Sequence, residues 1–292
     1  MSSVVSKKTN LTFLNKREIN RNIDAVIDYH FGEGTSSGIP DNEKKGYFIQ
    51  TLNALQQSQI PFELDNIKII FDSDILCEHL INNYLIEKKD TLDDKHLFNE
   101  EERREIVYNV EKALDLIKLL HPDLHYLINK HIGTLYFIKK EGFGGGSVSG
   151  LLGLIWLNPP KRWTVIDYAE ALYHEFIHNS LFLDDMVNCI FPDPLSCENE
   201  EALTTSTILK KKRPLDKSFH AANVSIGIMH MYHLLSDKKK SRMYEEDLKR
   251  TIVEMNDKTQ FLGERGLEIL KEMNHFINTY DFDSITLSLS GK

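Results

Sequence analysis

The stretch TVIDYAEALYHEFIHNSLFL, residues 164–183, determines the fold class that the sequence predicts. Its apolar residues recur at intervals of three and four, which predicts a helix over residues 165–183. Thr164 is a suitable N-cap residue, and Asp167 and Glu170 favour the positive N-terminal end of a helix dipole. Because apolar side chains cover most of its faces, we expect this helix to be buried.

This helix carries the HExxH motif His174-Glu175-Phe176-Ile177-His178. Since a helical turn has 3.6 residues, the two imidazoles project from the same face and can bind one metal ion. Glu175 is rotated by about 100° from His174, so it stands beside the metal as an acid, a base or an orienting group. The alternative is that these are core residues bonded to backbone carbonyls. We favour a metalloenzyme, because buried polar side chains need partners.

A third metal ligand must come from elsewhere in the chain. One candidate is His220, just inside the next long predicted helix. The others are three glutamates downstream of the motif, Glu198, Glu200 and Glu201. His230 and His233 lie three residues apart in a Met-rich apolar helix, a pattern that is more typical of core histidines.

Composition excludes several other kinds of protein. The 292 residues are 41% hydrophobic and 27% charged, which is ordinary for a globular protein. A net charge of −9 argues against nucleic acid, and no apolar run is long enough to cross a membrane. Residues 1–22 carry charges where a signal peptide needs an apolar region. Cys77, Cys189 and Cys197 are too scattered for a disulfide framework, so we expect reduced thiols and a cytoplasmic location.

The remaining segments predict a mainly α protein with a small β-sheet or hairpin. Helical periodicity covers residues 17–30, 41–58, 72–88, 99–131 with a break at Pro122, 217–235 and 241–279. Strand-like runs cover 67–70, 134–138 and 151–157, and the glycine-rich segment 142–146 between the last two suggests either a hairpin or a plain linker. We expect residues 1–130 to form a helical N-terminal region and residues 131–292 the metal-binding catalytic region, either separately or as one continuous domain.

Two kinds of enzyme use such a motif, and they differ in the metal and in the role of Glu175. In a zinc peptidase, Glu175 is the general base that deprotonates a Zn(II)-bound water. In a non-heme iron oxygenase, histidine ligands leave coordination positions open for oxygen chemistry. Such enzymes commonly use 2-oxoglutarate, whose distal carboxylate needs a fixed cation. Arg213 suits that role, because Pro214 holds it extended and its guanidinium binds a carboxylate with two parallel hydrogen bonds.

Three blocks of sequence together resemble a known family. They are residues 153–160, GLIWLNPP; residues 163–172, WTVIDYAEAL, which lead into the HExxH motif; and Arg213-Pro214-Leu215, which is followed by Phe219-His220-Ala221. In this order and spacing they resemble the HExxH-type 2-oxoglutarate-dependent peptide β-hydroxylases, which modify ribosomally synthesised peptides. The resemblance covers about residues 130–235.

The resemblance implies a helical HExxH metalloenzyme scaffold rather than a double-stranded β-helix. It implies that His174, His178 and His220 bind Fe(II), and that Arg213 binds the distal carboxylate of 2-oxoglutarate. The implied reaction uses O2 to hydroxylate a side-chain β-carbon of a precursor peptide, with Glu175 as an orienting group. The strand at residues 151–157 could bind that peptide by edge addition. The alternatives are the zinc peptidase and a catalytically inactive relative that binds a peptide.

Overall fold

The computed structural model describes residues 11–292, and this part of the chain contains eleven α-helices and two small β-sheets. The predicted class, mainly α with a small sheet, is therefore confirmed, and the described residues form no double-stranded β-helix. No helix between residues 11 and 292 is both long and apolar enough to cross a membrane. Residues 1–10, which contribute to the signal-peptide prediction, lie outside the described residues.

The described chain forms two compact units. The N-terminal unit consists of residues 20–183, and the C-terminal unit consists of residues 184–292 together with residues 11–19. The predicted boundary between residues 130 and 131 falls inside the N-terminal unit, where strands from both sides of it pair. That residues 131–292 form the catalytic region stays a prediction.

Helices of the described residues up to 188 follow the predicted segments with two exceptions. The short helix Thr35–Gly38 lies in no predicted segment. In the segment 72–88 the helix ends at Asn82, because Tyr84 adopts a left-handed conformation with φ 58°. Pro122 begins a new helix, as a proline at the first helical position can. The helices are α1 (Lys16–Phe31), α2 (Thr35–Gly38), α3 (Asp41–Gln56), α4 (Asp74–Asn82), α5 (Glu100–Leu120), α6 (Pro122–His131) and α7 (Val165–Asn188).

The larger sheet lies in the N-terminal unit and has the strand order β1-β2-β4-β3. Its strands are β1 (Lys68–Ile70), β2 (Thr134–Phe137), β3 (Gly145–Gly146) and β4 (Leu154–Leu157). β2 is parallel to both β1 and β4, whereas β3 is antiparallel to β4. The predicted hairpin of residues 134–138 and 151–157 is therefore wrong. These strands are parallel neighbours, and parallel strands need a crossover rather than a tight turn.

The glycine-rich segment that suggested a hairpin turn is itself a strand. Gly145 has φ 147°, and a Cβ there would lie 2.6 Å from the carbonyl oxygen of Trp156. Only glycine fits this close approach between β3 and β4. As a result β4 is an interior strand with neighbours on both sides, so the predicted edge addition of a peptide at residues 151–157 is wrong. The open edge on this side of the sheet belongs to β3.

The C-terminal unit is built around a buried helix. Its helices are α8 (Leu215–Leu234), α9 (Glu245–Asn256), α10 (Glu264–Thr279) and α11 (Phe282–Leu289), and its strands are β5 (Thr204–Thr205) and β6 (Lys212–Arg213). Nearly every residue of α8 is buried. The short ribbon of β5 and β6 is fixed by Glu254, which accepts hydrogen bonds from the Thr205 amide and the Lys212 ammonium.

Candidate active site

Helix α7 places the HExxH motif in the N-terminal unit. Asp167 and Thr164 cap its first turn reciprocally, since the Asp167 carboxylate accepts from the Thr164 amide at 2.6 Å and the Thr164 hydroxyl accepts from the Asp167 amide at 3.4 Å. Thr164 is thus the N-cap residue that the sequence predicts. Phe176 and Ile177, inside the motif, are fully buried and hold this face of the helix in the core.

The two motif imidazoles lie side by side on α7. The ring centroids of His174 and His178 are 5.0 Å apart, with the rings inclined at 50° to each other. The His178 ring also stacks on Phe182, with a centroid distance of 6.1 Å. Burial lowers the pKa of His174 to about 4, so at neutral pH this ring is the neutral imidazole that metals bind.

Glu175 is buried beside the first histidine. Its Oε1 atom lies 3.8 Å from Nε2 of His174, and its Oε2 atom has no hydrogen-bond partner among the described residues. Burial raises the pKa of Glu175 to about 7, although a hydrogen bond from Ser147 acts in the opposite direction. A buried carboxyl oxygen without a partner is costly, which indicates that something absent from the protein chain normally meets it.

His174 and Glu175 line a cavity of about 290 Å³. On the α7 side its wall continues along the same helix face through Glu170 and Asp167, which lie one and two turns before the motif respectively. Trp163 and the glycine strand form other parts of the wall. The cavity therefore has an acidic, helical wall and a backbone wall.

The backbone wall is the open edge of the sheet. The carbonyl of Gly144 accepts from the amide of Asn158 at 2.8 Å, next to the Gly145–Leu157 pair. The alternation of an antiparallel ladder then turns the N–H and C=O groups of Gly145 away from β4. Because Gly144 and Gly145 have no side chains, an extended ligand backbone can approach this edge closely.

Asn179, which directly follows the motif, connects the glycine strand to α7. It is fully buried, and its side-chain oxygen accepts from the Gly153 amide at 3.0 Å. Its Nδ2 donates to the Ser147 hydroxyl at 3.0 Å and to the Glu175 carbonyl at 2.9 Å. Ser147 in turn bonds the Glu175 carboxyl. Asn179 thus connects Ser147, which follows the glycine strand, to the motif on α7.

Replacing Asn179 by leucine is expected to loosen the wall of the cavity. The Gly153 amide would lose its acceptor inside the protein, at a cost of about 1–3 kcal/mol. Hydrogen–deuterium exchange at Gly153 should then accelerate by about tenfold or more, since 1.36 kcal/mol corresponds to a factor of ten. The matched control is Asn129→Leu, which removes a similar bond to a carbonyl four residues earlier, that of His125. Equal exchange at Gly153 in both variants would contradict this role.

Two of the predicted site residues belong to the C-terminal unit. His220 lies in the first turns of α8 and is 5% exposed, and burial lowers its pKa to about 3, which keeps the ring neutral. Arg213 ends β6 in the extended conformation that the sequence predicts. It is half-buried, and no carboxylate of residues 11–292 lies within ion-pair distance of its guanidinium. That His220 binds a metal and that Arg213 binds a carboxylate both stay predictions.

The other candidates differ in how far they are buried. Glu198, Glu200 and Glu201 are all exposed, on two short 3₁₀ turns. His230 is fully buried and its Nε2 is 3.0 Å from the Thr286 hydroxyl, whereas the His233 ring stacks on Phe282. The core histidine that the sequence predicts at position 230 is therefore confirmed, whereas the prediction is wrong for His233, whose side chain is 43% exposed.

The pair His174 and His178 fits two positions of a divalent metal site. The rings are one helical turn apart, His174 is neutral, and an unpartnered carboxyl oxygen lies next to them. Within the described part of the chain, no group of three or more His, Cys, Asp or Glu side chains is arranged to hold a metal ion. The structure thus brings together His174, Glu175 and His178, and it assigns His220 and Arg213 to the other unit.

Fold and site together define a mainly α-helical protein with a buried HExxH helix beside an open glycine edge strand. Comparison of the chain with family models and with curated proteins found no match. The sequence interpretation missed Ser147 and Asn179. A signal for Asn179 existed, because an asparagine in an otherwise apolar helix must find buried partners. Nothing in the sequence indicated that its partner would be Ser147, next to the glycine segment.

Proposed function

We propose that this protein is a cytoplasmic Fe(II)- and 2-oxoglutarate-dependent oxygenase that hydroxylates a side-chain β-carbon of a ribosomally synthesised peptide. The observation that carries the proposal is the pair of imidazoles of His174 and His178, of which His174 lines a cavity that has the glycine edge strand in its wall. The resemblance of residues 130–235 to HExxH-type peptide β-hydroxylases supplies the reaction. Iron, 2-oxoglutarate and O2 would supply the oxidising power, with succinate and CO2 as co-products.

The chain's own residues bind and orient. The imidazoles of His174 and His178 would hold two metal positions, with His220 as the third ligand that the resemblance implies. Glu175, held by Ser147, would orient a ligand imidazole or the peptide. Arg213 would bind the distal carboxylate of 2-oxoglutarate, which is supported by its lack of an acidic partner among the described residues.

The glycine edge supports a peptide substrate. An extended peptide can add to the outward N–H and C=O groups of Gly145, which lies in the wall of the same cavity as His174. Main-chain hydrogen bonds of this kind are independent of the peptide's side chains, so they position one residue without selecting its identity. We propose that β3, rather than β4, is the strand that receives the peptide.

The test is the visible spectrum of the protein reconstituted anaerobically with Fe(II) and 2-oxoglutarate. A 2-oxoglutarate chelate of Fe(II) gives a weak charge-transfer band, whereas Zn(II) gives none. We expect the band in the natural protein. In Arg213→Ala the 2-oxoglutarate concentration for half-saturation should rise by about 10–100-fold, since a charge-assisted hydrogen bond contributes about 1.5–3 kcal/mol.

Lys211→Ala is the matched control, because Lys211 is an exposed cation two residues from Arg213. It should leave the half-saturating concentration unchanged. An equal rise in both variants would show that the positive charge of the segment matters and not the guanidinium. A protein that holds Zn(II) tightly and never develops the band would overturn the oxygenase.

One observation favours a second candidate, a zinc peptidase with Glu175 as general base. Its Oε2 atom is buried without a partner and adjoins His174, where a base that activates a metal-bound water would stand. Glu175→Gln separates the two candidates. It should reduce peptide cleavage by a Zn(II) enzyme by about 10²–10⁴-fold, whereas the charge-transfer band of an iron enzyme should persist. A peptide-binding relative without turnover would give neither cleavage nor hydroxylation.

A further inference from the structure

The N-terminal unit contains a second cavity, of about 230 Å³, remote in sequence from the HExxH motif. Its wall is formed by the first turns of α3, the second half of α6 and residues 64–65. Four charged side chains line it: Asp41, Lys45, Asp65 and Lys130. Which of these side chains form ion pairs with each other determines which charge is available to bind a ligand.

Lys130 and Asp41 neutralise each other. The Lys130 ammonium donates to the Asp41 carboxylate at 2.7 Å and to the Tyr126 hydroxyl at 2.8 Å. The Tyr126 hydroxyl in turn donates to the same carboxylate, at 2.7 Å from Oδ2. In this closed triangle of hydrogen bonds the two charges balance each other.

Lys45 has no such partner. It is 3% exposed, and its ammonium donates one hydrogen bond, to the carbonyl of Asn66 at 2.6 Å. No carboxylate in the described chain lies within ion-pair distance of it. Burial lowers the pKa of Lys45 to about 8, so the group is still mainly the ammonium at neutral pH. Glu63 and Asp65 favour the charged form from beyond ion-pair distance. The one hydrogen-bond acceptor of this buried ammonium among the described residues is nevertheless a neutral carbonyl, which is unfavourable and would be relieved by an anion in the cavity.

We propose that this cavity binds a small carboxylate, which accepts the remaining hydrogen bonds of the Lys45 ammonium. A volume of about 230 Å³ admits a molecule the size of a small organic acid or amino acid. Asp65 is exposed at the rim and disfavours a second negative charge, so monocarboxylates and zwitterionic amino acids should bind in preference to dicarboxylates. The site is independent of the proposed oxygenase reaction.

The test is a titration of the full-length protein with sodium acetate, L-alanine and sodium succinate, followed by the amide NMR shifts of Gly46 and Asn66. Acetate and L-alanine should shift these amides saturably, and succinate should bind more weakly. Lys45→Met should weaken acetate and L-alanine binding by about tenfold or more, because it removes a charge-assisted hydrogen bond. Lys44→Met is the matched control, since Lys44 pairs with Asp24 outside this cavity and should leave binding unchanged.

Lys45→Gln provides a second variant, which can keep the bond to Asn66 while removing the charge, and it should also lose binding. The absence of a saturable shift with both acetate and L-alanine in the natural protein would overturn the proposal. So would equal affinity in Lys45→Met and the natural protein. Succinate binding that exceeds acetate binding would overturn the selectivity at the rim. None of these outcomes depends on iron or 2-oxoglutarate.

Discussion

Replacing Asp184 by alanine is expected to lower the free energy of unfolding of the C-terminal unit by about 3–5 kcal/mol. Asp184 and Arg265 form a buried ion pair, with side chains 2% and 8% exposed. The Arg265 guanidinium donates from Nε and Nη2 to the Asp184 carboxylate at 2.8–3.1 Å. Alanine would leave the guanidinium charged and buried without its main partner. The cost of leaving the Arg265 charge buried without compensation is the main reason that the loss is this large.

The variant Glu268→Ala serves as the control, because Glu268 also contacts Arg265, at 3.1 Å, but is 64% exposed. It should cost less than about 1 kcal/mol. The double variant Asp184→Leu with Arg265→Met removes both charges and should recover most of the loss. Both tryptophans, Trp156 and Trp163, lie in the N-terminal unit, so hydrogen–deuterium exchange of α10 is the appropriate measurement. If the double variant lost as much unfolding free energy as Asp184→Ala, the effect would come from packing rather than from the unpaired charge.

Local sequence signals were enough to predict most of the helices and the shared helix face of His174 and His178. The three- and four-residue spacing around residues 164–183 predicts α7, and the spacing of His174 and His178 within a helix fixes their common face. Likewise Pro122 marks the start of α6 and Pro214 keeps Arg213 extended, because both effects act on adjacent residues. Such features follow from chain geometry alone.

The arrangement of the sheet depended on contacts between distant residues. Glycine is depleted in strands, so residue propensities do not predict β3, and the close approach to β4 that requires glycine at position 145 is visible only in the structure. The hydrogen bond between Ser147 and Asn179 joins residues 32 positions apart. Likewise nothing in the sequence distinguishes buried Lys45 from its neighbour Lys44. Partner choice across such separations is decided by packing, which a periodic pattern does not encode.

Replacing His174 by alanine is expected to weaken Fe(II) binding by more than about 100-fold. Even loss of a group that only orients a metal ligand costs about 10–100-fold, and His174 is proposed as a ligand itself. Its neutral ring adjoins His178 with a centroid distance of 5.0 Å, so each imidazole should be necessary for tight binding. The measurement is anaerobic competition with a chromogenic Fe(II) chelator.

Three further variants make the result specific. His174→Gln preserves more of the side-chain volume and should lose Fe(II) to the same extent, which separates ligation from packing. His30→Ala removes an exposed histidine of the same unit and should bind Fe(II) as the natural protein does. Glu175→Gln should weaken Fe(II) binding less than His174→Ala does, by about 10–100-fold at most, because the carboxyl orients the site rather than holding the metal. Fe(II) affinity that is unchanged in His174→Ala and His174→Gln would exclude the motif as the metal site, whichever reaction the protein catalyses.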